Sequence, residues 1–455
     1  MSEREFDAIV VGAGAPGEVC AGRIAEGGLE VALVEARLVG GECSYYACMP
    51  SKALLRPGEA LAEVRRVPGA AEAVTGDLDA EAALRRRDEV ISNLDDSGQL
   101  PWLEERRIEL FRGRGALDGE RRVKVGEDTL TARRAVVVAT GSRASTPPID
   151  GLADAEPWDN REATTAKHVP QSLAILGGGP VGAEMAEAWR SLGSRVTLIE
   201  AAERVLSAEE PFASEQVTEA LREGGVDVRT GAKATAVRGR GGEVSVELEG
   251  SEAISAQELL VAAGREGRTK GIGLETVGIE PGRWLEVDDQ LRVGGSDWLY
   301  GVGDVNGRAL LTHMGKYQGR AAADRILGRD GAATAEQMGS PRVTFTDPAV
   351  AAIGKTLAAA QEAGINARAV DVETSATAGA SFHGRNAPGT SRIVVDEDRR
   401  VLVGATFVGP ETADFLHAAT IAVIAEVPLE RLWHAVPAFP TRSEVWLKLL
   451  EAYGL

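Results

Sequence analysis

Hydrophobic positions along the chain fall into short runs separated by glycine turns and amphipathic stretches. Phe6 to Val11 (FDAIVV) is an apolar run with β-branched members, followed at once by GAGAPG and a helical pattern through Ile24. That order predicts strand, glycine turn and helix. Glu30 to Glu35 (EVALVE) predicts a second buried strand ending in an acid. The same order returns at 172–200, where SLAILGGGPVGAEMAEAW is followed by SRVTLIE and ends in Glu200. The interval from Gly12 to Glu35 equals that from Gly177 to Glu200, so one βαβ device is expected twice. Between the two, 51–97 reads as charged helices and 108–140 alternates, closing on AVVVATGS. Residues 227–263 alternate as short strands with a hairpin turn expected at Gly241-Gly242. YGVGDVNG (300–307) precedes another helix, and from Pro341 the pattern changes to FTDPAVAAIG, SRIVVD and LVGATFVG before a last helix. A separate C-terminal α+β domain is predicted there.

The glycine turns carry chemistry. In Gly12-Ala13-Gly14-Ala15-Pro16-Gly17 the glycines allow a tight turn, backbone approach to a pyrophosphate and close helix-to-strand packing. The helix N-terminus then faces the phosphates, and Glu35 is placed to accept hydrogen bonds from a ribose diol. Gly177, Gly179 and Gly182 with Glu200 repeat the arrangement. A carboxylate at position 200 repels a 2'-phosphate, so NADH is expected over NADPH, with Arg195 and Arg204 near enough in sequence to soften the preference. Two dinucleotide sites imply that one cofactor delivers a hydride and a flavin stores the electrons.

Composition narrows the partners. The chain has 455 residues, enough for two to four domains, and a net charge of -19 that disfavours phosphate-backbone binding. No apolar window reaches the roughly 18 residues of a membrane span. The N-terminus lacks a secretory pattern, so a cytoplasmic protein with no membrane or nucleic-acid partner is expected. Cys20, Cys43 and Cys48 are too few for a secreted disulfide scaffold. Cys20 is expected to be a buried apolar residue of the first helix. The close pair in GGECSYYACMPSK (40–52) points to redox chemistry, and with no second Cys pair or His cluster nearby no metal is expected.

Taken in order, these motifs resemble the pyridine nucleotide-disulfide oxidoreductases, the flavoprotein group that includes dihydrolipoamide dehydrogenase, glutathione reductase and mercuric reductase. The resemblance runs through the Gly12–Gly17 turn, Cys43 and Cys48 with Pro50-Ser51-Lys52, ATGS (139–142), the 177–182 turn, AAGR (262–265), GD (303–304) and FTDP (345–348). It implies an α/β fold with two Rossmann-like dinucleotide-binding domains, for FAD and NAD, plus a C-terminal α+β dimerisation domain. The expected divisions are 1–145 and 269–336 for FAD, 146–268 for NAD(P)H and 337–455 for dimerisation. By resemblance Cys48 lies against the flavin and Cys43 attacks the substrate, while Lys52, paired with Glu184, sits near flavin N5. Asp304 is the acid for the ribityl chain. Gly41, Thr140, Gly141, Ser142, Gly264, Arg265, Gly303 and His313 join the cofactor-binding set, His313 more as a packing or hydrogen-bonding residue than as a proton donor. A homodimer is implied.

The pattern also breaks. Where the family carries His-Pro-Thr-x-Ser-Glu, this chain reads Phe439-Pro440-Thr441-Arg442-Ser443-Glu444. Loss of such a base typically costs about 100- to 10,000-fold. Glu444 remains without an imidazole to orient, and His434 lies five residues upstream. The tail LLEAYGL has no cysteine relay, and Pro180 stands where glutathione reductases have a tyrosine. Tyr45 and Tyr46 either stack on a planar acceptor or pack against the dimer partner. The leading expectation is an NAD(P)H- and FAD-dependent oxidoreductase whose Cys43–Cys48 disulfide cycles. Its acceptor, small molecule or protein disulfide, needs little proton relay: a reactive oxidant, a quinone or a disulfide with a good leaving thiolate. The alternatives are a diaphorase reducing quinones directly from the flavin, with an idle or regulatory disulfide, and a non-catalytic redox sensor.

Overall fold

The computed structural model describes residues 3–385 and 387–455. Four helices organise the site: α1 (Ala15–Glu26), α2 (Cys48–Arg66), α3 (Pro180–Ser191) and α4 (Thr312–Ile326). The chain forms two compact units. One comprises 1–50, 88–145 and 264–336, the other 51–87, 146–263 and 337–455.

The first unit is built on a seven-stranded sheet. Strands β1 (Glu3–Val11), β2 (Val31–Glu35), β3 (Glu109–Arg112), β4 (Gly115–Leu117), β5 (Arg122–Val125) and β6 (Asp128–Val138) are arranged β3-β2-β1-β6-β5-β4. Strand Leu299–Gly301 pairs in parallel with the last residues of β6. The β3-β2-β1-β6 run is parallel, and the β4–β5 hairpin is antiparallel. Parallel strands covered on both faces need continuous apolar sequence. Accordingly Ala8, Ile9 and Val10 of β1 and Val31 to Val34 of β2 are at most 1% exposed, with neighbouring residues turned to opposite core clusters. Cys20 is fully buried on α1, and burial pushes its thiol up to about 12, which makes it inert packing. Helix α4 crosses α1 closely because Gly315 and Gly319, one turn apart, have no side chains. A Cβ on Gly319 would lie 2.5 Å from the Pro16 carbonyl oxygen.

The second unit repeats the device in a four-stranded parallel sheet ordered 227–229, 195–199, 172–176, 258–261. A three-stranded antiparallel sheet (234–240, 243–248, 251–256) adjoins it in sequence, with the 240–243 hairpin turning at Gly241-Gly242. The C-terminal part carries a five-stranded antiparallel sheet ordered 342–344, 349–354, 401–409, 390–396, 367–373. Residues 51–87 join this unit through Leu54, Leu55, Ala83 and Leu84, which pack with Trp189 of α3. The fully buried Arg87 guanidinium adds hydrogen bonds to the carbonyls of Thr164 and Ala166. Among the described residues no helix is long and apolar enough to cross a membrane.

Candidate active site

The two glycine turns are built alike down to their contacts. Gly12 and Gly177 have φ of +111° and +107°, a region open to glycine, and each donates its N–H to the strand that follows, to Val34 and Ile199. A Cβ on Gly17 would stand 1.9 Å from the Gly12 oxygen, and one on Gly182 would stand 1.8 Å from the Gly177 oxygen. The middle glycines differ from these. A Cβ at Gly14 or Gly179 would meet nothing closer than 4.0 Å, so the backbone ahead of each helix is open to a ligand. Each turn is closed by its acid: Glu35 accepts from the N–H groups of Ala13 and Arg37, both at 2.7 Å. Glu200 accepts from Gly178 and Ala202, both at 2.6 Å. Burial raises the Glu35 carboxyl above its ordinary range, opposed by the Ala13 and Arg37 N–H groups. This is the geometry of two dinucleotide cradles: an open helix N-terminus for the pyrophosphate and a fixed carboxylate for a ribose.

Motifs far apart in sequence complete the first cradle. Strand Ser142–Ala144 pairs with Arg265–Gly267, which joins ATGS to AAGR. The Ser142 hydroxyl donates to Asp304 Oδ2 at 2.6 Å and accepts from Arg265 Nε at 2.7 Å. Thr140 donates to the Arg268 carbonyl at 2.9 Å, and the Gly141 carbonyl accepts the Arg268 N–H. Gly264 accepts from the Ser145 N–H. Gly303 (φ +76°) packs on Pro16 and donates its N–H to the fully buried Gln318. Gly41 lets the Cys43 loop lie on the turn, since a Cβ there would stand 2.7 Å from Gly14 Cα.

The two thiols meet where this loop runs into α2. Cys43 and Cys48 hydrogen-bond to each other, and Cys48 Sγ lies 3.3 Å from Thr312 Oγ1 at the start of α4. The Cys43 thiol is pushed up, first by the hydrogen bond to Cys48, then by burial and by negative charge on Cys48, with Thr312 and Lys316 opposing. These influences together favour the protonated form of the Cys43 thiol. Cys48 is also the first residue of a 19-residue helix, whose N-terminus favours a thiolate.

Lys52 follows one helical turn after Cys48 on α2. Its ammonium donates to Glu184 Oε2 at 2.7 Å and to Ser51 Oγ at 3.3 Å, and it lies 4.6 Å from the Phe345 ring centroid. Glu184 is 5% exposed and also accepts the Phe345 N–H at 3.0 Å. Glu444 sits elsewhere in the second unit and accepts from the Gly379 N–H at 3.3 Å. Phe439 is 76% exposed at a cis peptide bond to Pro440.

Residues 6–319 match the family described as pyridine nucleotide-disulphide oxidoreductase, and 340–450 match its dimerisation domain. The chain belongs to the pyridine nucleotide-disulphide oxidoreductase family. It is an FAD-dependent NAD(P)H oxidoreductase, and the dimerisation domain supports a homodimer. It is 31% identical to a dihydrolipoyl dehydrogenase of Thermus scotoductus, over 99% of this chain and 97% of that one. A mercuric reductase of Staphylococcus aureus is 29% identical, over 97% and 81% of the two chains. Among solved structures, the HOCl-induced flavoprotein disulfide reductase RclA of Escherichia coli superposes with a TM-score of 0.86 at 25% identity, covering 98% of this chain and 99% of that one.

Within this disulphide oxidoreductase, several placements depart from expectation or add to it. His313 is exposed in the first turn of α4, and its neighbour Thr312 is the residue that reaches the thiols. Tyr45 is 3% exposed and packs inside the first unit, so neither stacking on an acceptor nor packing against a partner describes it. Tyr46 keeps exposed surface. Thr312, Lys316 and Arg268 escaped sequence reasoning. Arg268 donates to the Ser142 carbonyl and to Glu42, and its withdrawal from water lowers its pKa. The available signal was position: Thr312 opens the helix that follows the GD motif.

Proposed function

We propose that this enzyme oxidises NADH, cycles Cys43 and Cys48 between dithiol and disulfide, and passes two electrons to a reactive oxidant or a similarly electrophilic acceptor. The observation that carries this reading is the thiol pair at the start of α2: mutually hydrogen-bonded, with Thr312 at 3.3 Å from Cys48. The structural neighbour RclA is HOCl-induced, which supports an oxidant as acceptor. Bound FAD would supply the electron path between the nicotinamide and the thiol pair. Gly12, Gly14, Gly17 and Glu35 would hold its pyrophosphate and ribose, with Asp304, Ser142 and Arg265 as a second polar group. Lys52, neutralised in part by Glu184, would bring a cation to the flavin ring and so favour its anionic reduced form.

The thiols do the chemistry of the acceptor. Cys43 attacks the electrophilic atom of the acceptor, and its proton leaves with the group displaced. Cys48 then attacks Cys43 and expels the reduced acceptor as the S–S bond closes. Two electrons leave the sulfur pair and two thiol protons are released. An oxidant whose displaced group is a stable anion or water needs no imidazole to protonate it, which fits Phe439 at the family's His position.

Anaerobic titration with NADH tests the core of this reading. Uptake beyond one equivalent per flavin, with long-wavelength thiolate-to-flavin absorbance, is expected. Bleaching of the flavin by a single equivalent without that band would favour direct reduction of quinones instead. The coenzyme preference is separately testable. Glu200 is locked by two backbone N–H groups, so its charge cannot swing away from a 2'-phosphate. Glu200→Ala should raise the NADPH/NADH ratio of kcat/KM about 10-fold, the equivalent of about 1.4 kcal/mol. An unchanged ratio would remove Glu200 from coenzyme selection.

A further inference from the structure

Helix α3 presents a second carboxylate beside Glu184 that the mechanism does not use. Glu184 and Glu187 are three residues apart and so share a helix face. Glu184 Oε1 accepts the Phe345 N–H at 3.0 Å, and Glu187 Oε2 accepts the Asp347 N–H at 2.9 Å. The pair thus grips residues 345–347 by two backbone N–H groups, like two adjacent pegs. That segment carries the Phe345 ring, which lies 4.6 Å from the Lys52 ammonium.

Glu187 sits among acids. Asp347 faces it from the gripped segment, Glu59 from α2 and Glu184 from its own helix. The neighbouring cations are committed elsewhere: Arg66 pairs with Asp347, Arg56 with Glu59 and Glu63, and Lys52 with Glu184. Withdrawal of its carboxyl from water is the largest cause raising it, from 4.5 to about 8, with the Asp347 N–H opposing and the three acids adding to the rise.

We propose that Glu187 is a positioning residue that works as a neutral carboxylic acid, sharing with Glu184 the grip on residues 345–347 while leaving the Lys52–Glu184 pair electrically balanced. Ionisation of Glu187 would add a second negative charge behind Lys52 and weaken the cation's support of the anionic reduced flavin. The inference rests on the placement of Lys52 beside the flavin under the proposed function.

The sign of the stability effect follows from linkage. The unfolded chain releases this proton near 4.5 and the folded one near 8. In between, the folded state binds more protons, so the contribution of Glu187 to stability falls as pH rises through that window and then levels. Three variants of the FAD-loaded enzyme test the proposal: Glu187→Gln, which keeps an oxygen for the Asp347 N–H, Glu187→Ala, which does not, and Lys52→Met. The difference in Tm between wild type and Glu187→Gln should decline from about pH 5 to about pH 8 and then stay constant. The flavin midpoint potential of wild type should fall more steeply above about pH 8 than that of Glu187→Gln. Glu187→Ala should shift the flavin spectrum where Glu187→Gln does not. A pH-independent Tm difference would overturn the neutral acid. Parallel potential curves for wild type and Glu187→Gln, with Lys52→Met shifted, would overturn the positioning role alone. A Lys52→Met potential identical to wild type would sink the flavin placement of Lys52, and the positioning role with it.

Discussion

Cys43→Ser is expected to lower turnover with any acceptor reduced at the thiol pair by about a thousand-fold or more, because a serine oxygen cannot be displaced to close a disulfide. The substitution is nearly isosteric, and a hydroxyl can keep the hydrogen bond that Cys43 makes with Cys48. FAD content and reduction of the flavin by NADH should therefore persist, so the loss falls on acceptor reduction. Cys48 keeps its Thr312 contact at 3.3 Å and its place at the start of α2, and its thiolate should become easier to see by long-wavelength absorbance in the variant. Steady-state NADH consumption with hypochlorous acid and with a quinone separates the readings. If Cys43→Ser consumes NADH as fast as wild type with both, the thiols are bystanders and the enzyme works from the flavin.

The second large effect runs the other way. Phe439→His is expected to raise the rate with small disulfides by about 10- to 100-fold, a fraction of the 100- to 10,000-fold that a positioned acid–base group contributes. Only part should return, because Glu444, which would orient the imidazole, already accepts the Gly379 N–H. Phe439 is 76% exposed in a single chain, so the exchange leaves no cavity and should cost the protomer little stability. Lipoamide and oxidised glutathione serve as substrates, and a bell-shaped pH profile in the variant would mark the new base. Equal rates for variant and wild type would show that the missing histidine is not what restricts the acceptor.

Much of this site can be read along the chain because its parts are local. A glycine turn needs its strand, its three glycines and its helix within a few residues. The acid that closes it lies at the end of the next strand, and both copies obey this rule with the same contacts. The Cys43–Cys48 pair and Lys52 are equally local, held by one loop and the first turn of one helix. Composition and periodicity likewise indicated the alternating segments and the 240–243 hairpin, since alternation with a Gly-Gly turn leaves few other arrangements.

Other parts depended on residues that only folding brings together. Thr312 reaches Cys48 across 264 positions of sequence, and nothing in LLTHMG distinguishes its hydroxyl from that of a capping residue. His313, the more conspicuous side chain, turns outward because the face of α4 that meets α1 is made by Gly315 and Gly319. By sequence Tyr45 could face an acceptor or the dimer partner, but the fold buries it, and residues 51–87 read as part of the first domain but pack with Trp189 in the second unit. Glu187 was invisible for the same reason: its environment is made by Asp347, Glu59 and Glu184 from three segments. The sequence by itself determined the two cradles, the thiol pair and the missing histidine, because each is defined by neighbours within a turn or two of chain. Tertiary structure alone decided which side chains face the thiols and which carboxylates lose their water, because burial and charge proximity depend on every segment that packs around a group.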